Sequence, residues 1–147
     1  MDLFINAVLT ASSALLFCYW FRYACLLILA AEMPHDYSNE VAEANQLAFP
    51  EIRTKLRQPD VADLDRLHAC LERDFAILSR MVERTHTARF DPRFEDVMLR
   101  IHFRSLSTCF RLTSRKLQES STAALEEMSR VVTHLANQLG ERGAAAR

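Results

Sequence analysis

Glycine and proline are nearly absent from this chain, two and four residues in 147. That scarcity removes the tight turns that join short strands, and with them sandwiches, barrels and other strand-rich architectures. Cysteine is sparse as well. Cys18, Cys25, Cys70 and Cys109 include no CxxC pair and join no Cys/His cluster, so neither a zinc site nor a disulfide framework is signalled. Lysine occurs only as Lys55 and Lys116. The remaining basic residues are arginines, a bias that fits a GC-rich bacterial genome. A formal net charge of −1 leaves no global excess to attract nucleic acid or an acidic surface.

What remains is the composition of helices, rich in Ala, Leu, Arg and Glu, and it predicts an all-α protein. The expected order is a single N-terminal transmembrane helix, then an antiparallel helical bundle of three to four helices with coiled-coil-like seams. The corresponding boundaries are an anchor over 1–31, a helical stalk over 32–58, a bundle over 59–139 and a flexible tail over 140–147.

The anchor has the clearest physical basis. From Leu3 to Phe21 there are 19 residues without a charge. At about 1.5 Å of rise each they cover roughly 28 Å, the thickness of a bilayer's hydrocarbon. The run closes on Tyr19, Trp20, Arg22 and Tyr23, an aromatic belt with an arginine able to snorkel to the headgroups. Ala24 to Ala31 are apolar again and extend the helix, within the bilayer or along its surface. Small residues such as Ser12 and Ser13, and Cys18 and Cys25 on one face, could line a helix contact. A core helix of a soluble protein is normally amphipathic, whereas this one is apolar around its circumference apart from Asn6, Thr10, Ser12 and Ser13. A cleaved signal peptide fits less well, because Met1-Asp2 carries no basic residue and Leu29-Ala30-Ala31 is a poor cleavage site. Arg22, Arg53, Lys55 and Arg57 follow the span while Asp2 alone precedes it, which predicts a cell-membrane protein with a cytoplasmic C-terminal domain. Unpaired Cys70 and Cys109 agree with a reducing compartment.

Beyond the anchor, the pattern predicts a helix over 36–48 and a short one from Pro50 to Leu56, together a bent stalk. Pro59 interrupts, Asp60 is a candidate cap, and a long helix over 61–84 follows. There Leu64, Leu71 and Leu78 recur at seven, as do Val61, His68, Phe75 and Val82. Asp91 and Pro92 start the next helix, and the short connection implies an antiparallel hairpin. Residues 92–118 look apolar on two faces, Phe94, Val97, Met98, Ile101 and Leu112 against Leu99, Phe103, Leu106, Phe110 and Leu117, as in a helix lying between two partners. A break at Glu119-Ser120-Ser121-Thr122 and a stop at Gly140 complete the expectation.

Chemistry is harder to find. Glu83 and His86 have the ExxH spacing of carboxylate-bridged dimetal sites, but a complete site needs a second copy. The nearest, Asp65 with His68, lies about 27 Å away on the same helix at 1.5 Å per residue. His68 at a seam position lacks the flanking residues of a phosphoaccepting histidine, and a buried polar contact accounts for it, as for His134. The most organised polar feature is arginine. Arg93, Arg100, Arg104, Arg111 and Arg115, spaced seven, four, seven and four, form one stripe, and Arg66, Arg73, Arg80 and Arg84 a second. The stripes suit an acidic partner protein, anionic lipid headgroups or RNA; because residues 1–65 carry net −5 and residues 84–116 net +5, they equally suit the stalk acids Glu32, Asp36, Glu40 and Glu43. Nucleic acid is not expected, because Phe103 and Phe110 sit on seam faces rather than between the arginines.

The expected function is a non-catalytic scaffold or accessory subunit of a membrane-associated assembly, touching the lipid bilayer and a protein partner or a second copy, with no cofactor and no small-molecule substrate. The alternatives are a transmembrane signalling module using a helical hairpin and a metal-dependent bundle enzyme.

Overall fold

The computed structural model describes residues 1–31, 33–58, 61–86, 94–114 and 117–146, and every regular element among them is an α-helix. The chain divides into two compact units, Met1–Ala31 and Glu32–Arg147.

The first unit is helix α1, Asp2–Ala30. With no Gly or Pro in 29 residues nothing interrupts its ladder of backbone hydrogen bonds. Two of its few polar side chains bond back to the backbone: Thr10 Oγ1 donates to the Asn6 carbonyl and Ser12 Oγ to that of Val8, both at 2.8 Å. The helix is long and apolar enough to cross a membrane.

The second unit holds α2 (Ser38–Asn45), α3 (Phe49–Leu56), α4 (Leu64–His86), α5 (Phe94–Thr113) and α6 (Gln118–Ala145). All four others pack against α6. Leu125, Met128, Val131, Val132, Leu135 and Ala136 are buried on α6 and meet a core that includes Phe49 and Ile52 of α3, Leu71, Leu78 and Val82 of α4, and Leu99, Phe103 and Phe110 of α5. Burial of such side chains contributes about 1.5–3 kcal/mol each. The small residues Ser121, Ala124 and Ser129 are buried as well, which lets neighbours approach α6 from several sides.

Four local outcomes differ from the sequence pattern. Residues 36–56 do not stand apart as a stalk, because α2 and α3 lie along α6. The helix between partners is α6. On α5 only one face is covered: Phe94, Val97, Ile101 and Leu112 remain exposed. Gly140 does not stop α6, which continues to Ala145; a Cβ at Gly140 would lie 2.2 Å from Cβ of Tyr37, so glycine here permits close approach. The break before α6 falls between Thr113 and Gln118 rather than at 119–122. Ser121 and Thr122 instead sit inside the helix and bond back to the carbonyls of Leu117 and Gln118. The candidate caps Asp60, Asp91 and Pro92 lie outside the described residues, and α4 starts at Leu64 after Asp63, whose φ of 58° turns the chain and whose carbonyl accepts from Arg66 and Leu67.

One buried carboxylate ties α3 to α4. Asp74 is fully buried, and its Oδ2 accepts from the backbone N–H groups of Ala48 at 2.7 Å and Phe49 at 2.9 Å. These are donors at the start of α3, which has no cap of its own. A helix of eight residues is marginal alone, so this cap borrowed from α4, with burial of Phe49, Ile52 and Leu56, holds it in place.

Candidate functional site

On α1, Tyr19, Trp20, Arg22 and Tyr23 are all exposed. Phe17 lies 6.3 Å, centroid to centroid, from both Trp20 and Phe21. Ser13, Leu16, Phe17, Tyr19, Trp20 and Tyr23 line an open apolar groove of about 520 Å³ along this stretch. Residues three and four apart share a helix face, so the rings form one continuous surface.

The arginine stripe is divided by what its members touch. Arg100 pairs with Glu83 and reaches the Ser79 carbonyl. Arg111 pairs with Glu72 at 2.9 and 3.2 Å. Both partners belong to α4 rather than to residues 32–43, because α4 runs beside α5 in the opposite direction. Arg104 is exposed. Arg93 and Arg115 lie outside the described residues.

The densest polar cluster sits between α4 and α5. Ser107 Oγ donates to Glu72 Oε1 at 2.6 Å, and His68 Nε2 lies 2.9 Å from the same hydroxyl. The serine proton is committed to Glu72, so His68 is the donor to Ser107. The imidazole stacks on Phe110 at 4.4 Å, and Phe75 stacks on Phe103 at 3.8 Å. Burial lowers the His68 pKa against the opposing pull of Glu72, favouring the neutral ring. For Glu72 burial opposes ionisation, but the Ser107 hydrogen bond and the nearby Arg111 outweigh it and lower its pKa. Glu72, Phe75, Phe103, Arg104, Ser107, Thr108 and Arg111 border an open groove of about 420 Å³.

Serine, histidine and glutamate in contact invite comparison with an acyl-transfer triad, but the order is wrong. In such a triad the histidine accepts the serine proton, whereas here an ionised carboxylate holds it and that carboxylate is a weakened base. Ser107 is also in the middle of α5, where backbone N–H groups are consumed by the helix and none is left to stabilise an oxyanion. The cluster is a clasp between helices.

A second polar seam joins α5 to α6. His102 Nε2 lies 2.8 Å from Glu127 Oε1, both buried. Asp96 meets Arg142 at 3.4 Å; within α6 itself, His134 Nε2 lies 3.3 Å from Gln138 Nε2. Burial lowers the His134 pKa despite nearby Glu95 and Asp96. Sequence reasoning placed His68 and His134 at seams but missed Glu72, Ser107, Asp74, Asp96 and Glu127. The i, i+4 spacing of His68 and Glu72 is the one signal that pointed to the first clasp.

Among the described residues no three His, Cys, Asp or Glu side chains converge as metal ligands. Glu83 of the ExxH pair is held by Arg100, and the side chain of His86 lies outside the described residues. No family model, curated protein or solved structure matches the chain.

Proposed function

We propose that the chain is a non-catalytic single-pass membrane protein: α1 spans the bilayer, and the helical unit, an antiparallel bundle organised on α6, works on the cytoplasmic side as a scaffold or accessory subunit. The observation that carries this reading is α1 itself, a 29-residue helix whose first nineteen positions, 2–20, are exposed and mostly apolar. In water such a surface is untenable, and in lipid it is matched. Tyr19, Trp20, Arg22 and Tyr23 then form the collar at the interface.

The scaffold part rests on α5. Phe94, Val97, Ile101 and Leu112 form an uncovered stripe on the face of α5 turned from the core, and a partner helix would bury it. The clasps between helices support the same reading, since they join elements without presenting an activated nucleophile. Extraction in mild detergent, followed by light scattering and mass spectrometry, tests it. The expected result is a defined oligomer or a stoichiometric partner, lost in Ile101→Glu. A monodisperse monomer without a companion, unchanged by that substitution, would overturn the scaffold reading.

A further inference from the structure

One arginine cluster is used by none of these contacts. Arg53 of α3 and Arg57, which caps its C-terminal end, stand one turn apart, Arg130 comes from α6, and with Leu56, Glu126 and Ser129 they line a cavity of about 130 Å³. Elsewhere in the unit Arg73, Arg100, Arg111 and Arg142 each meet a carboxylate. Among the described residues the guanidinium groups of Arg53, Arg57 and Arg130 have no ion-pair or hydrogen-bond partner, and Arg53 reaches Asp36 only as a distant charge. Glu126 offsets one of the three positive charges and leaves two uncompensated. Arg53 is half-buried while Arg57, Arg130 and Glu126 are exposed, and like charges gathered around one concave site repel one another unless an anion joins them.

Size and geometry narrow that anion. The cavity, about 130 Å³ and open to solvent, has room for a tetrahedral oxyanion. Guanidinium forks match phosphate oxygens in paired hydrogen bonds, and three forks from two helices surround a group with three or four acceptor oxygens better than a planar carboxylate. Two uncompensated charges match a dianion. Leu56 closes the wall between the arginines, and the buried cap at Asp74 fixes α3 and thereby sets Arg53 and Arg57 against α6.

We propose that Arg53, Arg57 and Arg130 form a binding site for a phosphoryl dianion, presented either by a phosphomonoester lipid headgroup or as free phosphate. The site does not depend on the membrane reading, because its residues belong to the second unit alone. The test uses the full chain in a neutral detergent. Its thermal transition is followed against inorganic phosphate at constant ionic strength, and separately against short-chain phosphatidic acid replacing phosphatidylcholine in mixed micelles. A saturable rise in Tm is expected. Arg53→Gln and Arg130→Gln each weaken the apparent Kd about tenfold or more, while Glu126→Gln tightens it by removing the repelling carboxylate. That opposite sign is a response a merely structural role would not give. Saturation by phosphatidic acid at far lower concentration than by phosphate assigns the headgroup; saturation by phosphate alone assigns the free ion. No saturable shift with either probe, or a shift unchanged in both arginine variants, would overturn the proposal.

Discussion

Single residues in this protein act mainly through buried polar contacts, and two of them make sharp predictions. Asp74 satisfies two backbone donors that would otherwise be buried without a partner. Asp74→Ala is expected to cost about 2–3 kcal/mol or more, because the lost bonds involve a charged acceptor and leave the start of α3 uncapped. Urea denaturation of the detergent-solubilised protein measures it; a loss below about 0.5 kcal/mol, the range of ordinary surface substitutions, would contradict the role of this cap. His68 and His134 predict a pH dependence. Burial lowers both pKa values from the ordinary 6.5, so the unfolded chain binds protons first as pH falls. The stability from these neutral rings is complete above about pH 6.5 and is lost as pH drops from there through the lowered folded-state values. Tm should therefore decline on acidification from pH 7.5 to 5, and less steeply in a His68→Asn, His134→Asn double variant. An identical decline in the variant would place the acid sensitivity elsewhere.

At the scale of elements, α6 determines the arrangement, and Gly140 shows how. In an ordinary helix interior Gly→Ala stabilises by about 1 kcal/mol. Here the added methyl meets Tyr37, so Gly140→Ala is expected to destabilise by about 1–3 kcal/mol through overpacking, read as a fall in the urea midpoint. Leu78→Ala, which opens a cavity at a fully buried position of α4, should cost about 2–5 kcal/mol on the same measurement. Much of the helix order was legible in the sequence. The heptads of α4 identified Leu71, Leu78, Phe75 and Val82, all now buried. The centre of the fold was less visible, because α6 buries Ala and Ser positions that do not read as core. An apolar stripe also does not reveal whether its own chain will cover it, so α5 was read as the central helix. Glycine was misread for a related reason: the missing Cβ of Gly140 suits both a helix end and a close contact. The α4 partners of Arg100 and Arg111 were not legible, because segment charge does not say which helices become neighbours. Arg53 and Arg57 were legible as a basic cluster, but Arg130, 73 residues beyond Arg57 in sequence, joins them only through the packing of α3 on α6.

The whole molecule joins an apolar helix suited to lipid with a helical unit whose polar groups are largely occupied in holding helices together. Orientation is testable with the native thiols. Cys109 is exposed and Cys70 half-buried, so a membrane-impermeant maleimide should label Cys109 in opened cells and not in intact ones. Labelling in intact cells would reverse the proposed topology. The most direct test of the central claim is alkaline carbonate extraction of membranes from cells making the full chain, beside a variant lacking residues 2–30, with intact mass measured on the recovered protein. The full chain is expected in the membrane pellet with residues 1–31 still attached, and the shortened chain in the supernatant. Full chain released by carbonate, or a recovered mass lacking the N-terminal helix, would contradict that claim.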